Sequence, residues 1–118
     1  MRTEESIHNK LILDLVNKKE AEGYKVWADH ISHPNGMPSE YEGYVPDMIF
    51  YKDGNYECCE AETTQTLDTE HTKNQWRTFS SRKGVDFSVI VPKESYEDAR
   101  RLAILWGINV KTVWYMGV

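Results

Sequence analysis

Val45-Pro46-Asp47-Met48-Ile49-Phe50-Tyr51, then Lys52-Asp53-Gly54-Asn55, then Tyr56-Glu57-Cys58-Cys59-Glu60-Ala61-Glu62, is the stretch whose reading decides the fold. Two runs rich in aromatic and apolar residues flank a segment with tight-turn chemistry, the pattern of a β-hairpin. With Asp53-Gly54 as a two-residue loop, Lys52 faces Asn55, Tyr51 faces Tyr56, and Asp47 falls opposite Glu60. With Gly54-Asn55 as the loop, Asp47 faces Glu62 instead. In both registers a carboxylate opposes a carboxylate, and Glu60 and Glu62 share a face because strand side chains repeat every second residue. A three-residue loop would break this parity.

Directly opposed residues have Cβ atoms only ~5 Å apart, and like charges there destabilise a sheet. The alternation puts Met48, Phe50, Cys59 and Ala61 on one side and Ile49, Tyr51, Tyr56 and Cys58 on the other, so neither face reads as wet. Three acids at one end of such a strand pair call for a hard cation, whose ligands are carboxylate oxygens. The competing reading is a frayed, solvated sheet edge.

A chain of 118 residues suits one domain, 1–118, with a single core. No apolar run approaches the ~20 residues of a membrane span, and the charged start Met1-Arg2-Thr3-Glu4-Glu5 lacks the apolar region of a signal peptide. The expectation is a cytoplasmic protein. Cys58 and Cys59 are adjacent in a strand and point to opposite faces, which suits buried thiols rather than a zinc pair or disulfide. The net charge of −5 argues against non-specific nucleic-acid binding, although metal-binding acids would account for part of it.

Outward from the hairpin, Ile7, Leu11, Ile12, Leu15 and Val16 recur at helical spacing, predicting a helix over 5–22 stopped by Gly23. Residues 24–30 read as a strand, and 31–45 as a long irregular loop. A second helix is predicted over 67–83, with Asp68 as N-cap and Trp76 and Phe79 facing inward. Residues 86–91 form an apolar strand ended by Pro92. Ser95 and Asp98 have capping-box spacing ahead of a third helix that stops at Gly107, and 108–115 forms the last strand. The order α-β-β-β-α-β-α-β predicts an α/β fold, a mixed sheet with helices on both faces.

Pro46-Asp47 and Glu60-Ala61-Glu62, set in this order of elements, resemble the PD-(D/E)XK nuclease superfamily, the restriction endonuclease-like fold shared with archaeal-type Holliday junction resolvases. The likeness extends over nearly the whole chain, including Phe87 to Pro92 and the last helix and strand. One residue departs from the pattern: Glu62 stands where the superfamily has lysine, giving an ExE element. Lys73 on the following helix is the candidate for a migrated catalytic lysine, against the alternative of a solvated helical lysine. Glu5 is the first choice for the family's first-helix metal ligand and Glu20 the second, each weighed against a plain surface charge.

The resemblance implies metal-assisted phosphodiester hydrolysis. Asp47 and Glu60 would hold Mg²⁺, for which Mn²⁺ would substitute, with the Ala61 carbonyl and Glu5 as further ligands. Glu62 would orient or deprotonate the attacking water. The implied substrate is double-stranded or branched DNA, cut by a homodimer. Lys73, Arg77, Arg82 and Lys83 could contact phosphates, although Arg82 and Lys83 equally suit the helix C-terminal dipole. Thr63, Thr64 and Gln65 could touch substrate or simply end the strand. His8 reads as a surface residue near the cleft, and the spacing of His8, His30, His33 and His71 matches no zinc-enzyme motif. A non-catalytic module that keeps the fold and binds nucleic acid or a protein is the alternative, kept open by Glu62 and the acidic net charge.

Overall fold

The computed structural model describes residues 3–117. The hairpin forms with the first of the two registers. Lys52 pairs with Asn55, Tyr51 with Tyr56 and Met48 with Cys59. Asp53 and Gly54 both adopt positive φ (52° and 84°), the backbone of a type I′ turn, whose twist matches that of the strands it joins. These strands are β2 (Met48–Lys52) and β3 (Asn55–Ala61).

Around them the chain builds a five-stranded sheet in the order β1-β2-β3-β4-β5, with β1 (Lys25–Ala28), β4 (Val85–Pro92) and β5 (Thr112–Met116). The β1–β2 and β2–β3 pairs are antiparallel, and β3–β4 and β4–β5 are parallel. Parallel neighbours need a crossover, which α2 (Glu70–Ser80) and α3 (Tyr96–Leu105) supply. The remaining helix is α1 (Glu4–Ala21), and a short 3₁₀ turn, Lys93–Ser95, adds an element that the expected order lacks.

Alternation in the strands splits the interior into two layers. Leu11, Ile12, Leu15 and Val16 of α1 cover Met48, Phe50, Cys59, Ala61 and Ile90 on one face. Trp76 and Phe79 of α2, with Ala99 and Leu102 of α3, cover Cys58, Phe87, Val89 and Val91 on the other. Cys58 and Cys59 are free and buried in opposite layers. Among the described residues, no helix is long and apolar enough to cross a membrane.

Several boundaries differ from the sequence-based expectation, each for a local reason. The second helix starts at Glu70, not 67, because the Thr69 hydroxyl, rather than Asp68, accepts the Thr72 N–H (3.1 Å). It ends at Ser80, where the hydroxyls of Ser80 and Ser81 bond back to the Arg77 and Thr78 carbonyls. Ser95 makes no capping bond. Its hydroxyl meets that of Thr64 at 3.0 Å, and the chain enters α3 through the 3₁₀ turn. The first strand stops at Ala28, because His30 turns the backbone with φ 67°. The last begins only at Thr112, four residues later than expected.

An ion pair between a buried lysine and a half-buried glutamate lies beneath α1. Lys19 is 3 % exposed, and its ammonium bonds Glu57 of β3 at 2.9 Å while lying 4.3 Å from the Tyr24 ring centre and 4.6 Å from that of Trp114. The Glu57 carboxylate also accepts from Ser88 (2.6 Å) and from the Trp114 indole (3.0 Å). Removing one member of such a pair strands the other charge in the core. Lys19→Met should therefore destabilise the fold by about 3–5 kcal/mol in urea unfolding, and Lys19→Met with Glu57→Gln by less than Lys19→Met alone.

Candidate metal centre

The strand ladder of the hairpin stops at Met48 and Cys59, and the next two residues continue it with side chains. The Asp47 N–H donates to Glu60 Oε2 (2.7 Å), and the Ala61 N–H donates to Asp47 Oδ2 (2.9 Å). Pro46 precedes this junction and brings no N–H of its own to satisfy. Each opposed carboxylate thus serves as acceptor for a backbone donor beside the other. Both are buried, at 7 % and 2 % exposure.

Three further elements converge on Asp47. His8, in the second turn of α1, places Nε2 3.3 Å from Oδ2. His30, just past β1, places Nε2 3.2 Å from Oδ1. The Asp29 N–H bonds the Asp47 carbonyl (2.9 Å), which extends the β1–β2 pairing and fixes His30 beside Asp47. The third element is the segment after β3, which encloses Glu62. One oxygen of Glu62 accepts from Thr66 (2.9 Å) and Thr72 (3.3 Å), the other from the Trp76 indole (3.1 Å).

These groups line a cleft of about 660 Å³ that also includes Glu4, Glu5, Ala61, Thr63, Gln65 and His71. Among the described residues, no lysine or arginine lines it. Burial opposes the charge of Asp47, yet the bonds from His30 and His8 hold its pKa down at about 2. Burial, with the charges of Asp47 and Glu62, pushes Glu60 well above the ordinary carboxyl range. Burial also raises Glu62 to about 7, although its bonds from Thr66 and Trp76 favour the ionised form. His8 is raised to about 9, the bond and charge of Asp47 outweighing burial, and the bond to Asp47 raises His30. Both imidazoles are thus shifted toward the charged form beside Asp47.

The sheet brings Asp47, Glu60, Ala61 and Glu62 together, as the hairpin register predicts. Glu5 lines the cleft but is exposed. Its neighbour Glu4 is more enclosed, and Glu4 Oε1 is buried without a hydrogen-bond partner among the described residues. Glu20 lies elsewhere, bonded to His33 at 3.0 Å. Lys73 is not among the cleft residues: Thr72 and Trp76 take the inward positions of α2, and Lys73 is turned about 100° away. Arg77, Arg82 and Lys83 are outside the cleft too, Arg77 reaching the Trp106 carbonyl and Arg82 stacking on Tyr41. Sequence reasoning missed His30, and it missed the cradle of Glu62. The available signals were the pairing of β1 with β2, which sets Asp29 beside Asp47, and the three-residue spacing of Thr63, Thr66, Thr69 and Thr72 behind Glu62.

No family model, curated protein or solved structure matches this chain. The site must therefore be read from its own chemistry. Five carboxylates (Glu4, Glu5, Asp47, Glu60 and Glu62), the Ala61 carbonyl and the imidazoles of His8, His30 and His71 line one cleft, a donor set for a divalent cation. The unpartnered Glu4 oxygen fits the same requirement, because a buried acceptor without a donor is unfavourable. Glu62 keeps one lone-pair position open beyond its three bonds, so it can still accept a proton.

The Glu62 cradle is testable by stability alone. Trp76→Phe keeps the ring packing but removes a buried hydrogen bond to a carboxylate. It should lower unfolding free energy by about 1.5–3 kcal/mol in urea titration, with the m-value unchanged.

Proposed function

We propose that this protein is a divalent-metal-dependent nuclease that hydrolyses phosphodiester bonds in DNA. The observation that carries the reading is the face-to-face placement of Asp47 and Glu60 at the end of the β2–β3 hairpin, with Glu62 two residues on in the same cleft. The likeness to PD-(D/E)XK nucleases supports it through Pro46-Asp47 and Glu60-Ala61-Glu62, and the mixed sheet between helices is compatible with a restriction endonuclease-like topology.

Asp47, Glu60 and the Ala61 carbonyl would hold the cation, with a first-helix acid completing the set. When bound, the cation would lower the pKa of a coordinated water and draw off charge from the scissile phosphate. Glu62 takes the proton of the attacking water, in the place the superfamily gives to lysine, and its threonine and tryptophan partners fix the carboxylate for that transfer. An acidic cleft repels a phosphate, so substrate binding there depends on the metal. Cutting both strands of a duplex calls for two symmetry-related copies, so the active form is proposed to be a homodimer.

Cleavage of linear, branched and single-stranded DNA with Mg²⁺ or Mn²⁺ tests the reading. Wild type should cut at least one of these, Asp47→Asn should not, and Glu62→Gln should lower kcat by about 10²–10⁴-fold. Activity that survives in Asp47→Asn would contradict the assignment. Metal binding without cleavage of any substrate would favour the non-catalytic module.

A further inference from the structure

We infer that His8 and His30 join Asp47 as ligands of a first-row transition dication such as Mn²⁺, so that the site prefers this class of ion to Mg²⁺. The inference deepens the hydrolytic reading, sharing its cleft, but it stands or falls on metal chemistry alone.

The geometry comes first. His8 Nε2, His30 Nε2 and the Asp47 carboxylate offer ligand atoms that all lie within 4.8 Å of one another. The two imidazoles address different oxygens of Asp47, at 3.3 Å and 3.2 Å, and their rings stand at 89° with centroids 5.0 Å apart. Their nitrogens therefore converge from two directions without stacking. The three residues come from α1, the end of β1 and the start of β2, each held independently by the sheet or its covering helix.

His30 is held in a conformation that points to purpose. Its φ of 67° lies in the left-handed region, uncommon for a residue with a side chain. The Asp29 side chain accepts the His30 N–H (2.8 Å) and the Asp29 N–H bonds the Asp47 carbonyl (2.9 Å), so the turn is locked against the strand that carries Asp47.

A separate observation indicates that a cation belongs in this cleft. Glu4 sits one helical turn before His8 on the same face of α1, and its Oε1 is buried with no hydrogen-bond partner among the described residues. A carboxylate oxygen shielded from water and without a donor is stabilised by a metal ion or an added proton. With Glu60 opposite Asp47, the cleft offers two nitrogen donors and several oxygens.

Ligand type then selects the ion. Mg²⁺ takes oxygen donors and sheds its water reluctantly. Imidazole suits Fe, Ni, Cu and Zn, and carboxylate suits Mn, so a mixed set of this kind favours a borderline dication over Mg²⁺. The other two described histidines contrast with this pair. His33 is bonded to Glu20 outside the cleft, and His71 lines the cleft but packs against Tyr44.

Pulsed electron paramagnetic resonance on the Mn²⁺-loaded protein, with Mg²⁺ competition followed by calorimetry, provides the test. The expected spectrum shows nitrogen coupling from two imidazoles. Mn²⁺ should outcompete Mg²⁺ by about 10-fold or more. His8→Gln and His30→Asn should each remove one coupling and weaken Mn²⁺ binding by about 10-fold or more. Asparagine tolerates the left-handed backbone at position 30, which keeps that variant folded. His33→Asn should change neither the spectrum nor the affinity. Mn²⁺ bound through Asp47 with no nitrogen coupling, or held no more tightly than Mg²⁺, would overturn this inference while leaving the hydrolytic reading intact. No Mn²⁺ binding at millimolar concentration would overturn it as well. Two-nitrogen coupling in a protein that cuts no DNA would support the metal site and count against the nuclease.

Discussion

The pair of reciprocal bonds at the end of the hairpin is the constraint on which the site depends. Asp47 N–H reaches the Glu60 carboxylate and Ala61 N–H reaches the Asp47 carboxylate. A strand pair that ran on by one more backbone rung would push these side chains apart from the backbone donors. Here the side chains replace the rung. The exchange satisfies two backbone donors and leaves the carboxylates facing each other, an arrangement that is destabilising when both are ionised. The type I′ turn at Asp53-Gly54, just past the far end of β2, sets the parity that makes the exchange geometrically available.

Charge balance follows from this juxtaposition. Asp47 stays ionised because two imidazoles hand it positive charge, whereas Glu60, with none, is driven toward its neutral form. Three residues earlier on β3 the fold solves a similar problem differently, by giving Glu57 a buried lysine and two neutral donors. The contrast is informative. Where the fold needs a carboxylate for structure, it provides a fixed cation on α1. In the cleft it sets beside Asp47 two imidazoles that can exchange a proton for a metal, together with a Glu4 oxygen that has no partner among the described residues.

The hairpin, both core layers and the convergence of Asp47, Glu60 and Glu62 were legible in the sequence, because a period of two and a two-residue turn determine which side chains meet. Helix limits were less legible. Thr69 and Asp68 are both competent N-caps, and the choice between them depends on a threonine network around Glu62 that only tertiary contact assembles. His30 was hidden for a related reason: its role comes from an inter-strand bond between Asp29 and Asp47, eighteen residues apart across an irregular loop. Lys73 illustrates the reverse error. Its position one residue after Thr72 looks favourable in the sequence, but the indole of Trp76 and the hydroxyl of Thr72 orient α2 so that a neutral donor pair, not an ammonium, meets Glu62.

The central claim is that these carboxylates are assembled for a divalent cation, and thermal melting with and without metal tests it without reference to any substrate. A ligand bound only by the folded state stabilises it by about 2.7 kcal/mol at a hundredfold excess over Kd. For a domain of this size, Mn²⁺ at that excess should raise Tm by about 10 °C over the chelated protein, and Asp47→Asn should lose the rise. Equal melting temperatures for wild type in saturating Mn²⁺ and in chelator would contradict the account.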